Sequence, residues 1–278
     1  MKYTFLILFF IQTGCTVNSK VLNQKGWYYK LQNYKSSDFT QIKDSSIVID
    51  LYKSINPTKV FSIKRLDKLK SNNNNVFAYF SIGEAEDYRP NFKEIPKSIL
   101  GKENKNWKGN FNINYWDKRW HKIVLNYLNK ITKQGFDGVY LDIIDAFHRY
   151  PNKKTAAKQM LELIQIISNE SKKSNKQFKV ILQNGIDITD YLELKEKKLL
   201  LTVIDGVAIE DYLFEHNKLT ENNEILKYLD FYKGKLKLSV EYSLNLKERQ
   251  KYFNLCQKYM LTPLITDKNL KGKFYIFK

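Results

Sequence analysis

Short β-rich runs alternate with helical patterns along this chain, and this alternation most constrains its fold. Most of the runs are almost continuously apolar, which is typical of parallel strands that are covered on both faces. We predict eight strands, at residues 27–32, 46–51, 76–81, 138–143, 179–183, 205–209, 235–241 and 261–266.

Helical patterns lie between these runs. The clearest are 116–133, which carries an apolar stripe and is followed by Gly135 as a stop, and 155–172. Weaker patterns lie at 59–70, 221–232 and 246–260. Repeated strand–helix alternation over about 250 residues indicates an α/β protein with a single (β/α)8 TIM barrel. The alternative is a doubly wound open sheet, but no G-x-G-x-x-G or P-loop motif follows a strand.

The composition limits the possible partners. The chain has 47 Lys and Arg against 29 Asp and Glu, a net charge of +18, but the lysines are spread along its whole length. Since there is no Arg-rich cluster, RNP-type motif or zinc finger, we expect no nucleic-acid binding. Two cysteines exclude a disulfide framework, and the three histidines show no metal-ligand spacing, so we predict neither a metal nor a cofactor. No internal run is long enough to span a membrane.

The first 15 residues have the pattern of an export signal. One lysine is followed by an apolar run and then by Thr13-Gly14-Cys15, which resembles a bacterial lipobox, although Gln12 stands where leucine is usual. We therefore expect export and a lipid anchor on Cys15 at the cell envelope, with plain secretion as the alternative. Residues 16–25 are predicted to be a tether, and residues 26–278 to be the barrel domain.

Most of the predicted strands end in a carboxylate or an amide. The carboxyl ends of barrel strands surround one pocket, so these groups are expected to converge there. The long segment 84–115, after the third strand, should lie over the same face. Aromatic neighbours at Tyr79, Tyr140, Tyr212 and Tyr242 suit carbohydrate binding, because sugar faces stack on aromatic rings.

Each strand-end acid, taken singly, is better explained as a cap of the following helix. Asp142 and Glu210 are exceptions, because each ends a strand of apolar residues, where an unpaired buried acid would be costly. For these two residues the pattern favours catalysis.

Four ordered segments carry a family resemblance. They are FAYFSIGEAEDYRP (77–90), GFDGVYLDIIDA (135–146), ILQNG (181–185) and DGVAIED (205–211). In this order and spacing they resemble glycoside hydrolase family 114, the endo-α-1,4-polygalactosaminidase-like family of TIM barrels. The resemblance runs from about Trp27 to the C-terminus.

The resemblance implies a retaining enzyme that acts on α-linked galactosamine polymers through an aspartate on strand four and a glutamate on strand six. The matching positions are Asp142, the expected nucleophile, and Glu210, the expected acid/base, whose pKa should then be raised. Asp145 is the rival nucleophile. Retention requires the two carboxyls to be about 5–5.5 Å apart, and inversion about 6.5–9.5 Å.

The predicted substrate-binding residues come from the same strand ends. We expect Glu84 to lie near the sugar and Arg89 to pair with Glu86 or Asp87. Only one of Gln183 and Asn184 can point into the barrel, because side chains alternate along a strand. The full set is Asp50, Tyr79, Glu84, Arg89, Asp145, Asn184, Tyr212 and Glu241.

Three functions follow. The first is an exported hydrolase of an α-linked galactosamine or N-acetylgalactosamine polysaccharide, where the basic surface favours the neutral N-acetylated form. The second is a non-catalytic glycan-binding lipoprotein on a degenerate barrel. The third is an anion-binding barrel, for which Lys271 and Gly272 are the only hint. The sequence gives no indication of oligomeric state.

Overall fold

The structure is a computed structural model that describes residues 26–32, 34, 36–39, 42–52, 60–72, 75–215, 218–219, 223–268, 270 and 274–275. The predicted leader and tether, with Cys15, lie outside the described residues. Lys271 and Gly272 lie outside them as well.

Eight parallel strands form a nearly closed barrel. They are β1 (Trp27–Lys30), β2 (Ser46–Asp50), β3 (Asn75–Ser81), β4 (Gly138–Asp142), β5 (Lys179–Gln183), β6 (Gly206–Glu210), β7 (Leu236–Tyr242) and β8 (Thr262–Thr266). Parallel ladders join them in chain order from β1 to β8, and β1 also contacts β8. The indole of Trp27 in β1 donates a 3.0 Å hydrogen bond to the carbonyl of Ser239 in β7. The predicted TIM barrel is confirmed.

Six α-helices surround the barrel in the described part of the chain. They are α1 (Ile63–Asn72), α2 (Lys118–Gln134), α3 (Lys153–Ser174), α4 (Leu194–Val203), α5 (Asn223–Phe231) and α6 (Leu246–Tyr259). Gly135 ends α2 in the left-handed region at φ 94°, as predicted. The sequence patterns missed α4, because its lysines and leucines occur in blocks rather than as one stripe. None of these helices has the length and apolar character needed to cross a bilayer.

The long segment after β3 builds a small antiparallel sheet. Its strands are Glu84–Glu86, Asn110–Ile113 and Leu100–Glu103, with Asn110–Ile113 in the middle. Short 3-10 helices at Phe92–Glu94 and Lys97–Ile99 lie within it. Because this sheet begins just past the carboxyl end of β3, it lies at the end of the barrel where we predicted it.

Further short elements complete the described chain. Three 3-10 helices lie at Ser36–Phe39, Ile144–Arg149 and Ile186–Tyr191. Phe214–Glu215 pairs with Lys218–Leu219 in an antiparallel hairpin, and Phe274–Tyr275 adds an antiparallel strand to β8.

Side chains alternate between two apolar layers. One layer fills the barrel interior and includes Trp27, Tyr29, Tyr79, Tyr140 and Tyr242. The other lies between the strands and the helices, and it contains the buried stripe of α2 and Cys256 of α6. Every second residue along a strand therefore faces the barrel interior, and this period of two decides which strand-end residues face the cleft.

Candidate active site

Asp142 and Glu210 are the last residues of β4 and β6, and both face inward. The period of two places Asp142 in line with the interior residue Tyr140, and Glu210 in line with the interior residue Ala208. Both carboxyls are partly accessible to solvent at the carboxyl end of the barrel. They are near enough that the charge of Glu210 raises the pKa of Asp142. The structure thus brings the two predicted catalytic residues into one cleft.

Two donors hold the carboxyl of Asp142. The hydroxyl of Tyr79 donates to Oδ2 at 2.7 Å, and the backbone N–H of Ile143 donates to Oδ1 at 2.8 Å. Burial is the main cause that raises the pKa of Asp142, and the charge of Glu210 adds to it, whereas the two donors act in the opposite direction. The donors therefore favour the ionised form in a site that otherwise resists charge.

Glu210 is held from both sides by donors on β5 and β7. The Gln183 amide donates to Oε2 and the Tyr242 hydroxyl donates to Oε1. Tyr140 in turn donates to the side-chain oxygen Oε1 of Gln183, which fixes the orientation of that amide. Burial raises the pKa of Glu210, and the two donors partly oppose this effect. The raised pKa matches the role of a proton donor, although burial and not Asp142 is its main cause.

Four consecutive barrel strands are followed by a residue in the left-handed region. These residues are Ile143 (φ 61°), Asn184 (φ 60°), Asp211 (φ 53°) and Ser243 (φ 54°), each directly after the end of its strand. A β-branched residue such as Ile143 rarely adopts this conformation, and strain of this kind tends to occur at functional sites. The sharp turn after β4 directs the backbone N–H of Ile143 to the carboxyl of Asp142.

Close backbone packing supports the turn at Ile143. A Cβ atom on Gly83 would lie 2.1 Å from the carbonyl oxygen of Ile143. The neighbouring Ile82 donates its N–H to the carbonyl of Asp142 at 3.1 Å. Only glycine allows the segment after β3 to approach this closely.

Asp50 and Arg89, both predicted to bind substrate, bind each other. Arg89 lies 2.7 Å from Asp50 and 2.6 Å from Glu86 in ion pairs, and it donates to the hydroxyl of Tyr127 at 3.0 Å. Glu86 is one of the two partners predicted for Arg89, the other being Asp87. The guanidinium carbon lies 5.9 Å from the centre of the Tyr79 ring. This buried network therefore supports the Tyr79 ring, whose hydroxyl binds Asp142. In it the charged groups of Asp50 and Arg89 are paired with each other.

The position of Glu84 differs from the prediction. Its side chain is fully buried, and it pairs with Arg149 at 2.6 Å and accepts from the amide of Asn104 at 2.9 Å. It lies in the first strand of the small sheet rather than at the end of β3. Glu84 thus joins the small sheet to the 3-10 helix after β4, and it does not reach the solvent of the cleft.

Glu241 was also predicted to contact substrate, and the structure places it elsewhere. Its side chain points outward from β7, away from the barrel interior, and it has no solvent exposure. The period of two that turns Tyr242 inward necessarily turns Glu241 outward. Burial raises the pKa of Glu241 to about 8.

The remaining predicted residues lie around the two carboxyls. Asp145 is solvent-accessible in the 3-10 helix after β4, and partial desolvation raises its pKa. The side-chain oxygen of Asn184 accepts the N–H of Glu210 at 3.1 Å, so Asn184 supports the backbone there while Gln183 is the amide that points inward. Tyr212 is half-buried two residues beyond Glu210.

Sequence reasoning did not single out Tyr29, whose ring lies 5.3 Å from that of Tyr140 and 6.4 Å from that of Tyr79. Tyr29 lies close to the two carboxyls. Burial raises the pKa of Tyr29 strongly, and the charges of Asp142 and Glu210 raise it further. The alternation Trp27, Tyr29 along β1 carries the signal, because both residues share the inward phase.

Within the described residues, no three His, Cys, Asp or Glu side chains come together in a way that could hold a metal ion. The groups in the cleft are carboxyls, phenols and amides. This set can exchange a proton, form a covalent bond through a carboxylate, and bind sugar hydroxyls.

The fold and the site define a TIM barrel with two inward-facing, partly accessible carboxyls at the carboxyl end of strands β4 and β6. The chain belongs to Glycoside-hydrolase family GH114, whose family model matches residues 13–277. A Methanocaldococcus jannaschii protein described as uncharacterized protein MJ1477 is 39% identical over 230 residues. That match covers 78% of this chain and 66% of the relative, just under two thirds of the relative's length.

Two solved structures have a similar fold. Aspergillus fumigatus Ega3, in complex with galactosamine, has a TM-score of 0.70 and 17% identity, with 91% of this chain and 95% of Ega3 covered. The glycoside hydrolase domain of Pseudomonas aeruginosa PelA has a TM-score of 0.67 and 14% identity, with 90% of this chain and 98% of that domain covered. At these identities the likeness concerns the fold.

Proposed function

We propose that the protein is a glycosidase that cleaves an α-linked galactosamine or N-acetylgalactosamine polysaccharide and retains the anomeric configuration. The observation that carries this proposal is the pair Asp142 and Glu210, each held by its own set of donors in one cleft. Membership of the glycoside hydrolase family and the fold shared with the galactosamine-bound Ega3 support the reaction type and the sugar class.

The two carboxyls divide the reaction. The carboxylate of Asp142 attacks the anomeric carbon and forms a glycosyl ester while the bond to the leaving oxygen breaks. Glu210 gives its proton to that oxygen. A water molecule then attacks the same carbon, Glu210 takes a proton from the water, and the ester bond to Asp142 breaks.

The pKa values of both carboxyls are raised, that of Asp142 to about 8. Burial makes two charges costly in one cleft, so the pair retains one proton near neutrality. Tyr79 and the N–H of Ile143 stabilise negative charge on Asp142, which is the charge that the nucleophile needs. The proposed chemistry requires this proton on Glu210 when the glycosidic bond breaks, because the attacking carboxyl must then be ionised.

The test is the release of reducing ends by the chain from Thr16 onward. The substrates are α-galactosamine polymers of graded acetylation, with glucosamine polymers for comparison, and the variants are Asp142→Asn and Glu210→Gln. Release from the galactosamine series that is lost in both variants supports the hydrolase. A folded protein that binds a glycan and releases no ends supports the non-catalytic binding protein instead. Activity that rises with deacetylation contradicts the preference for the neutral polymer that we inferred from the net charge of +18.

We also propose that the protein is exported and anchored by a lipid on Cys15. The apolar leader and the Thr13-Gly14-Cys15 sequence support this proposal. Incorporation of a clickable fatty acid tests it, with Cys15→Ser as the control. Labelling that persists in Cys15→Ser, or a wild-type protein found only in the soluble fraction, contradicts the anchor.

A further inference from the structure

Two consecutive residues of β7 hold the segment that contains Glu210 from opposite sides. Tyr242 faces the barrel interior, and its hydroxyl donates to the Glu210 carboxyl. Glu241 faces outward and is completely buried. The side chain of Glu241 contacts the backbone that follows Glu210.

Oε1 of Glu241 accepts two backbone hydrogen bonds. The N–H of Tyr212 donates at 3.1 Å and the N–H of Leu213 at 2.7 Å. Between Glu210 and these donors lies Asp211, whose φ of 53° makes the turn and whose own N–H donates to the carbonyl of Val240 at 3.0 Å. Three successive backbone N–H groups after Glu210 are therefore bound to β7.

A buried carboxyl is an expensive way to provide this support. Burial raises the pKa of Glu241, and Oε2 has no hydrogen-bond partner among the described residues. An apolar side chain would avoid both costs. An apolar side chain cannot supply an acceptor to these two N–H groups. Without Glu241, the N–H of Leu213 would lose its hydrogen bond in a buried position.

We propose that Glu241 is a positioning residue for Glu210. It fixes the turn at residues 211–213 and thereby sets the direction and the solvation of the Glu210 carboxyl. This inference rests on the proposed role of Glu210 as acid/base.

The main experiment does not depend on catalysis. The variants Glu241→Met, which removes the acceptor, and Glu241→Gln, which keeps a side-chain oxygen, are compared with Ser239→Ala on the same outward face of β7. The Glu210 carboxyl is titrated by carbon-13 NMR, and hydrogen exchange is measured at the amides of Tyr212 and Leu213. In Glu241→Met we expect exchange at these amides to be about tenfold faster or more, as the loss of one hydrogen bond implies. The pKa of Glu210 should fall, because a looser turn lets water reach its carboxyl.

Glu241→Gln and Ser239→Ala should behave like the wild type in both measurements. The proposal is overturned if Glu241→Met leaves the Glu210 titration and the two exchange rates unchanged, or if Glu241→Gln is as disturbed as Glu241→Met. If Glu241→Met does not fold, Glu241→Asp replaces it, because its shorter side chain withdraws the acceptor while keeping a carboxyl group.

Kinetics on a cleaved glycan provides a second arm. We expect kcat of Glu241→Met to fall about tenfold or more with KM within about twofold, and Glu241→Gln to restore it. If the wild type cleaves no glycan, the proposed function fails, while the titration and the exchange rates still decide whether Glu241 positions Glu210.

Discussion

The hydroxyl of Tyr79 on β3 reaches across to the neighbouring strand β4 and donates a 2.7 Å hydrogen bond to Oδ2 of Asp142. This bond favours the charged form of a carboxyl whose pKa burial has raised. The charge on Asp142, the proposed nucleophile, therefore depends on a phenol that belongs to a different strand.

Tyr79→Phe removes this donor and should raise the pKa of Asp142. A hydrogen bond to a charged group contributes about 1.5–3 kcal/mol, so the acidic limb of the pH dependence of kcat/KM should move upward by about one unit or more. Activity below neutrality should fall, with partial recovery at higher pH. Tyr115→Phe, which loses a hydrogen bond to the carbonyl of Ala156, is the control. An acidic limb that does not move would contradict the role of Tyr79.

Asp142 and Asp145 can be separated as nucleophiles. Asp142→Ala should lower kcat by about 10⁴-fold or more, as expected for loss of a nucleophile. Azide should restore turnover in this variant and yield a glycosyl azide. Asp145→Ala should reduce kcat by less than about tenfold and show no response to azide, because Asp145 lies in the 3-10 helix beyond the strand end. Azide rescue of Asp145→Ala instead would reverse the assignment.

Gly83→Ala should be severe. The added Cβ would lie 2.1 Å from the carbonyl oxygen of Ile143 and 2.8 Å from the Cβ of Ala146, so the backbone beside Asp142 must move. We expect a loss of about 2 kcal/mol or more in the free energy of unfolding, measured in urea. Activity should fall in parallel, since Asp142 directly precedes Ile143.

Gly26→Ala is the matched control, because no atom lies within 4 Å of its added Cβ. It should change stability by less than about 0.5 kcal/mol. Equal stability of the two variants would show that the close approach at Gly83 is not required.

Glu241 should make stability depend on pH. Its folded-state pKa of about 8 is above the usual value for glutamate, so between pH 5 and 8 the folded state keeps a proton that the unfolded state has lost. The free energy of unfolding should therefore fall as pH rises, by up to about 1.4 kcal/mol per pH unit from this group. Glu241→Gln should remove that part of the slope in urea titrations at several pH values. Glu162→Gln, at an exposed position, should leave the slope unchanged, and a wild-type slope in Glu241→Gln would contradict the argument.

The strands and the positions of Asp142 and Glu210 at inward strand ends were predictable, because both depend on local patterns. Continuous apolar runs locate all eight strands, and the segments around Asp142 and Glu210 carry the family resemblance. Closeness to a strand end did not predict where the side chains of Glu84 and Glu241 point. The backbone of Glu84 turns away from the barrel to start the small sheet, and Glu241 lies on the other phase of β7.

The partner of a charged residue is still harder to predict. Arg89 was predicted to pair with Glu86 or Asp87, and it pairs with Glu86, three residues away. Its bond to Asp50, however, joins positions 39 residues apart. Such a contact depends on how the small sheet folds back over the barrel. Helix α4 shows the same limitation, because its packing is set by the barrel rather than by a stripe in its own sequence.

The ion pair between Glu84 and Arg149 has a consequence for the diversification of this barrel. Loops on a TIM barrel are often exchanged one at a time, which is how one scaffold acquires new specificities. Here the loop after β3 contributes the buried acid and the loop after β4 contributes its base, which also donates to Asn112 of the first loop. Replacing the loop after β4 alone would leave the buried Glu84 without its base, and replacing the loop after β3 alone would leave Arg149 without its acid. The two loops are therefore expected to be inherited, exchanged and engineered as one unit.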